Sequence, residues 1–288
     1  MPSNYLKIRR FAPCGTRNRN DIYTSFRAKT PLTGTITGKE EIHLAVTNNE
    51  TGEKEYRGIL CFTAISYRVK ILIPETELWP AGRKVARHVA AHIVGANTQY
   101  VITHVDRAGE CAIASRRLAM EAKRRAFAHA RSGNREGDLT VCNVLVVGPK
   151  QLLVECGGYD VVLRPADISY ASILDLRDEY HSGDTLDALI KKYDPEAGEL
   201  QLSVKEVNPN PFDGADFRHP VGSDRQAIVT NRYKGGVFCR LADDVTCMCL
   251  FSRSYSEYDC SPGDRVMVHI TRYDYDRKQI YGRIVARW

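Results

Sequence analysis

The sequence predicts a mainly β protein built from three five-stranded barrels in tandem. The chain of 288 residues is long enough for two or three small domains, each with its own core. Two segments of about 70 residues each contain five short β-rich runs separated by turn residues. Both carry Gly-Asp immediately before the fourth run, at 183–184 and 263–264. Because turn residues at a fixed spacing mark repeated units, we expect one small β fold to recur along the chain.

Composition favours a soluble, cytoplasmic protein. Hydrophobic residues make up 43% of the chain and charged residues 26%, which is ordinary for a globular domain. No apolar run approaches the roughly 18 residues of a membrane helix. The first thirty residues are rich in Lys and Arg but lack the apolar core of a secretory signal. The nine cysteines are odd in number and scattered, so we expect thiols rather than a disulfide framework.

The net charge of +6 is distributed unevenly. Residues 1–136 carry 23 Lys and Arg against 12 Asp and Glu, whereas residues 137–212 carry 6 against 13. The remaining residues, 213–288, carry 12 against 10. A basic end joined to an acidic middle indicates a polyanionic partner for the basic end, and a merely solvated basic surface is the alternative.

Stretches rich in Gly, Pro, Ser and Asn near 132–134 and at 208–220 suggest where the domains end. The predicted organisation is a basic tail (1–30), a first barrel (31–117), a helical linker (118–136), a middle barrel (137–207), a Pro-rich linker (208–220) and a last barrel (221–288).

The middle and last segments share one order of elements. The middle strands are predicted at 139–147, 151–156, 159–163, 185–193 and 199–204, with a helix at 172–180. The last strands are predicted at 227–231, 237–241, 245–251, 265–273 and 279–287. Five strands with a short helix between the third and fourth is the order of the OB-fold barrel.

The N-terminal segment follows this order more faintly and with additions. A hairpin extension is predicted from about 42 to 62, around the turn at 48–52. A helix is predicted from about 80 to 94, and another from about 115 to 131.

Short motifs along the chain resemble one family. Leu202-Ser203-Val204-Lys205, after a Gly-Asp turn and a strand, resembles the close of an S1 RNA-binding domain. Lys234-Gly235-Gly236-Val237-Phe238 resembles the second strand of that domain, and Pro165-Ala166-Asp167-Ile168 the end of its third. In the first segment Gly34-Thr35-Ile36 and 73–78 resemble the first strand and the end of the third. The chain is thus similar to the S1 repeats of bacterial ribosomal protein S1.

The resemblance implies binding of single-stranded RNA on one barrel face, where aromatic rings stack on bases and basic side chains hold phosphates. Phe238 falls where the family places its second-strand aromatic, and Tyr233, Lys234, Arg240 and Tyr281 are expected to surround it. The alternative for Phe238 is a core position, because every second strand residue points inward. The family's third-strand His position falls near Leu250, beside Phe251, so that partner is lost or shifted.

The middle barrel departs further from the family. Residues 151–154 contain no aromatic, and Arg164 falls near the His position. Together with its acidic charge, this suggests a spacer or a barrel that contacts other proteins.

The N-terminal region supplies further candidate contacts. Tyr67, Arg68 and Lys70 lead into the third strand of the first barrel. Arg117, Arg124 and Arg131 recur every seven residues along the predicted helix and so lie on one side of it. This stripe suits a phosphate backbone, although a solvated helix face is the alternative. The basic residues before Pro31 suit an RNA-contacting arm.

Motifs for catalysis and metal binding are lacking. His88 and His92 are four apart, but Val89 stands where a metalloprotease places its general base. Cys239, Cys247, Cys249 and Cys260 do not have zinc-ribbon spacing, so buried thiols are expected. We therefore predict no enzyme, cofactor or metal.

The predicted function is single-stranded RNA binding in translation or RNA metabolism. The expected partner is mRNA or ribosome-associated RNA, with protein partners through the middle barrel and no membrane. The alternative is an assembly module whose barrels have lost RNA binding.

Overall fold

The computed structural model describes residues 20–47, 54–66, 68–80, 87–106, 111–129, 134–171, 173, 175–250 and 260–287. These residues form three five-stranded β-sheets, two of them closed barrels, which confirms the predicted mainly β class.

The first barrel closes in the order β1-β2-β3-β5-β4. Its strands are β1 (Leu32–Thr47), β2 (Lys54–Ser66), β3 (Val69–Pro74), β4 (Asn97–Asp106) and β5 (Cys111–Ser115). Short helices α2 (Glu75–Leu78) and α3 (Arg87–Ala90), with a 3-10 turn at Ala91–Ile93, connect β3 to β4. Of the helix predicted at about 80–94, residues 81–86 lie outside the described residues.

Residues assigned to the tail from sequence include a helix, α1 (Asn20–Ala28), which packs on the first barrel. Ile22 of this helix is buried in the barrel core. The Ser25 hydroxyl accepts a hydrogen bond from the Ile102 amide at 3.1 Å and donates one to the Thr30 carbonyl at 2.7 Å. These contacts attach α1 to β4.

Strands β1 and β2 pair from Ile36 opposite Ala64 to Thr47 opposite Lys54, with one register shift between Ile36 and Gly38. They therefore form the hairpin extension expected from the sequence, although its turn at 48–52 lies outside the described residues.

The middle sheet has the order β10-β9-β6-β7-β8. Its strands are β6 (Leu139–Val147), β7 (Leu152–Cys156), β8 (Tyr159–Leu163), β9 (Thr185–Asp194) and β10 (Glu199–Ser203). This is the order of the first barrel opened between β8 and β10, two strands that contact each other. Helix α5 (Pro165–Ile168) follows β8, and the helix predicted at 172–180 is only a 3-10 turn at Leu176–Asp178 in the described residues.

The last barrel closes in the order β11-β12-β13-β15-β14. Its strands are β11 (Asp224–Tyr233), β12 (Gly236–Leu241), β13 (Thr246–Leu250), β14 (Arg265–Asp274) and β15 (Gln279–Arg287). Helix α6 (Ala215–Arg218) lies within the Pro-rich stretch. The Tyr273 hydroxyl lies 2.9 Å from the Ala215 carbonyl and 2.6 Å from the His219 carbonyl, so this stretch is attached to the last barrel.

One backbone turn recurs in all three units and explains the repeated Gly-Asp. Gly183 and Gly263 have positive φ angles of 98° and 96°, and their amides donate to Val144 and Val229 in the first strand of each unit. Gly95, at φ 96°, donates to Ile36 in the same way. Glycine suits this left-handed conformation because it lacks a Cβ atom. The first unit carries Ala96 where the others carry Asp, so its motif is hidden in the sequence.

Helix α4 (Arg116–Ala128) follows β5 directly and is shorter than predicted. The Ser115 side chain caps it by accepting a hydrogen bond from the Leu118 amide at 3.1 Å. Ala119 and Met120 pack on Val101 of the first barrel.

No helix in the part of the chain that the structure describes is long and apolar enough to cross a membrane. Cys239, Cys247, Cys249 and Cys260 are free thiols buried in the core of the last barrel. Among the described residues, no group of three or more His, Cys, Asp or Glu side chains is arranged to hold a metal ion.

Candidate nucleic-acid interface

A β-bulge in the first strand of each unit aligns the three sheets residue by residue. The register shifts between Ile36 and Gly38 in β1, between Val144 and Val146 in β6, and between Val229 and Asn231 in β11. The first residue after each bulge pairs with Thr63, Leu153 and Phe238, respectively. These three residues therefore occupy equivalent positions in the second strands of the three units.

Phe238 points away from the core of the last barrel. Its neighbours Val237 and Cys239 are fully buried, and Phe238 itself is only partly buried and lies outside the core cluster. Strand alternation therefore places Phe238 and Arg240 on the outer surface. The core alternative for Phe238 is wrong because the inward positions of β12 belong to its neighbours.

Side chains from four neighbouring strands gather around Phe238. The backbone register places Met248 opposite Phe238, Tyr281 opposite Met248 and Arg272 opposite Tyr281. The Tyr233 and Phe238 ring centroids are 5.1 Å apart, and the Arg272 guanidinium carbon lies 4.0 Å from the Tyr281 ring centroid. We call this set the aromatic face: Tyr233, Phe238, Met248, Arg272 and Tyr281.

The glycine turn before β12 allows this packing. A Cβ atom on Gly236 would lie 2.0 Å from the Cys249 carbonyl oxygen, so no other residue fits without movement of the backbone. A Cβ atom on Gly235 would lie 3.1 Å from the Tyr233 ring. Lys234 is exposed at the same turn. The Lys-Gly-Gly motif thus lets β12 approach β13 closely while a cation stays at the edge of the aromatic face.

The Tyr233 hydroxyl is buried without a hydrogen-bond partner in the described residues. Burial raises the pKa of this hydroxyl, and the nearby Cys249 and Tyr281 add to the effect. Tyr233 therefore stays neutral.

Arg240 has acidic neighbours. Its Nε atom lies 3.9 Å from an Asp244 carboxylate oxygen. The Arg240 charge also acts on Glu179 of the middle unit. Burial raises the pKa of the Glu179 carboxyl, and the charge of Arg240 partly opposes this effect. Arg240 thus has carboxylates beside it on the barrel surface.

Two members of the aromatic face are absent from the sequence-based candidates. Leu250, near which the resemblance puts the family's third-strand His position, lies opposite Gly236, and Met248 lies opposite Phe238. Leu250 and Met248 are two residues apart and so lie on the same face of β13. Arg272 was also missed, since its position depends on the bulge in β14. Phe251 lies outside the described residues.

In the described residues of the middle unit, the positions equivalent to Phe238 and Met248 carry no ring. Leu153 replaces Phe238, and only 7% of it is exposed because it belongs to the core cluster of the first barrel. Arg164 is exposed before α5.

The first barrel also lacks an aromatic face in its described residues. Thr63 replaces Phe238, and Leu72 lies opposite Thr63. Lys70 forms an ion pair with Glu40 at 2.6 Å, and Arg68 is exposed. Tyr67 lies outside the described residues.

The arginines of α4 make contacts within the protein. Arg117 contacts Glu77 at 3.2 Å and Glu121 at 2.9 Å, and its hydrogen bond to Glu77 is the main cause of its raised pKa. Arg124 donates to the Gly158 carbonyl at 2.8 Å and lies over the Tyr159 ring. Arg131 lies outside the described residues. The predicted basic stripe is therefore partly engaged in holding the helix in place.

No family model matches the sequence. The chain is 25% identical over 197 residues to small ribosomal subunit protein bS1 of Pseudomonas aeruginosa, covering 66% of this chain and 35% of the relative. It is 27% identical over 130 residues to bS1 of Chlamydia trachomatis, covering 43% of this chain and 23% of the relative. The chain thus matches about a third or less of the length of these relatives.

Similarity to solved structures is weak. A multidomain protein with nucleic acid binding domains from Streptococcus pneumoniae aligns with 90% of this chain and 74% of its own, at 11% identity and a TM-score of 0.23. That TM-score is too low to carry an argument.

The strand order, the recurring glycine turn and the relatives agree with one another. The chain is an S1-like protein of tandem OB-type units, similar to the bacterial small ribosomal subunit protein bS1.

Proposed function

We propose that the chain binds single-stranded RNA through the aromatic face of its last barrel and acts in translation or RNA metabolism. The observation that carries this proposal is that Phe238 points outward and shares one surface of the last barrel with Tyr233 and Tyr281. The barrel core is complete without these rings. The expected partner is mRNA or ribosome-associated RNA.

The chemistry favours an unpaired strand. Exposed rings stack on bases only when the bases are splayed out of a helix, and an A-form duplex hides their faces. Arg272 and Lys234 are exposed beside the rings and suit the phosphates that separate stacked bases. The basic N-terminal region, with 23 Lys and Arg against 12 Asp and Glu, suits a longer-range attraction to the same strand.

A second candidate is a protein-assembly module, which the paired extension of β1 and β2 favours. The two functions differ in their ligand. Fluorescence anisotropy of the full chain with unstructured RNA, duplex RNA and single-stranded DNA separates them, and we expect unstructured RNA to bind most tightly.

A charge reversal tests the position of the site. Arg272→Glu places a negative charge against the Tyr281 ring, so we expect it to weaken RNA binding at least tenfold. The matched control is Arg277→Glu, because Arg277 is exposed in the turn between β14 and β15 and is not a member of the aromatic face. Equal losses in both variants, or no binding of any nucleic acid by the unaltered chain, would refute the proposal.

A further inference from the structure

We infer that the patch of the middle unit formed by Val146 and Leu153, the equivalents of Asn231 and Phe238 in the last barrel, is an intramolecular docking surface for the first barrel, so that the first two units fold and unfold as one. This docking does not depend on the proposed RNA binding. Four sets of contacts support it.

Apolar residues replace the outward residues of the last barrel at this surface. Leu153 stands at the position of Phe238, and Val146 at the position of Asn231. Both are more than nine-tenths buried, and with Leu145 they join the core cluster of the first barrel, which includes Ile93. Strand β6 contacts β4 and the 3-10 turn at Ala91–Ile93. The outer surface of one unit thus completes the core of the other.

A fully buried ion pair joins the same two units. Arg116, at the start of α4, contacts both carboxylate oxygens of Asp160, at 2.7 and 3.1 Å, and neither side chain is exposed. The guanidinium also donates to the Thr98 hydroxyl at 2.8 Å and to the Leu78 carbonyl at 3.0 Å. Burial opposes the charge of Arg116, but Asp160 outweighs this effect and the pKa of Arg116 is raised. A buried guanidinium depends on such a partner, so Asp160 binds the middle unit to the first.

Helix α4 lies against the β7–β8 turn of the middle unit. A Cβ atom on Gly158 would lie 2.5 Å from the Met120 carbonyl oxygen, and one on Gly157 would lie 2.3 Å from the Phe127 ring. Lys123 pairs with the buried Glu155 at 2.8 Å. The two glycines therefore let the helix of the first unit approach the backbone of the second.

The recurring glycine turns of the two units also meet. A Cβ atom on Gly183 would lie 2.6 Å from the Gly95 carbonyl oxygen. The Ser182 hydroxyl donates to the His92 carbonyl at 3.2 Å. The two units are thus joined by a common core, a buried ion pair and two close backbone contacts. Unfolding one unit would expose buried surface of the other, so we expect a single cooperative unfolding transition.

Tryptophan fluorescence tests this inference. The chain has two tryptophans, and a Trp288→Phe background leaves Trp79, which is buried in the first barrel. In this background, the middle-unit substitutions Leu153→Asp and Asp160→Ala should lower the Trp79 melting temperature by on the order of 10 °C. The matched control is Val162→Asp, because Val162 lies opposite Leu153 on the neighbouring strand but is 44% exposed. It should shift the Trp79 transition by about 2 °C or less.

An unchanged Trp79 transition in Leu153→Asp and Asp160→Ala would overturn the inference, provided that hydrogen exchange shows β6 and β7 to be destabilised. Equal shifts in the control would overturn it as well. If either variant gives no folded protein, Asp160→Asn keeps an acceptor for Arg116, and its Trp79 transition is read in the same way. No RNA is present in these measurements, so their outcome is separate from that of the proposed function.

Discussion

Replacing Phe238 by Ala should separate a binding role from a packing role. The Phe238 side chain lies on the outer surface, its backbone pairs with Met248, and its aromatic neighbour is Tyr233 at 5.1 Å. Loss of one stacked base costs roughly 1–3 kcal/mol, so RNA affinity should fall roughly 5- to 150-fold. Loss of the contact with Tyr233 costs about 1 kcal/mol, so the melting temperature of the last barrel should fall by only about 4–8 °C.

A core phenylalanine would behave differently. Its replacement by Ala costs about 3–5 kcal/mol, which corresponds to a fall of more than about 12 °C for a barrel of this size. Affinity is measured by fluorescence anisotropy with unstructured RNA, and stability by thermal unfolding followed with circular dichroism. Phe217→Ala is the matched control, since Phe217 is 91% exposed on α6 and is not a member of the aromatic face. A large fall in stability with unchanged affinity would refute the assignment of Phe238 to the surface that binds RNA.

Two further predictions concern charge and docking. Residues 1–19 contain Lys7, Arg9, Arg10, Arg17 and Arg19 and no acidic residue, so their removal should flatten the slope of log K against log salt by up to about 3.5, at about 0.7 per contact. The slope is measured by RNA titration at several salt concentrations, and an unchanged slope would show that these residues contact no phosphate. Gly183→Ala should destabilise the chain more than Gly263→Ala, because both glycines have φ near +97° but only the Cβ atom at 183 meets the Gly95 carbonyl oxygen. If the two variants lose the same melting temperature, the contact between the two units adds nothing to the cost of backbone strain.

The repeated units were predictable because their signals are local. The Gly-Asp turns at 183–184 and 263–264 mark a left-handed backbone position with paired amides. The resemblance of Lys234-Gly235-Gly236-Val237-Phe238 to the second strand of an S1 domain predicted an aromatic surface around Phe238, whereas strand alternation left a core position open. In these stretches the backbone conformation allows only a few residue types. The pattern can therefore be recognised in a single sequence.

The first unit was harder to predict for an equally local reason. Its glycine turn has Ala96 in place of Asp, and the amides of Gly95 and Ala96 still find their partners through the backbone. The Lys and Arg content of residues 1–30 predicted a basic tail, and helix α1 within it has one buried apolar side chain, Ile22, among polar residues. The hydrogen bonds of Ser25 to β4 and to Thr30 involve a residue type that gives no sign of burial in a sequence.

The sequence by itself determined the strands and the turns, because these depend on backbone conformation and alternation within a few residues, and Phe238 became a candidate through the family resemblance. The tertiary structure alone decided which surfaces are open. Leu153 and Phe238 occupy equivalent strand positions, yet one completes the core of the first barrel and the other remains on the surface. Arg116 and Asp160 are 44 residues apart, and either would be read from sequence as an ordinary surface charge. Burial depends on what packs against a residue, and for these residues the packing partner comes from a different unit of the chain.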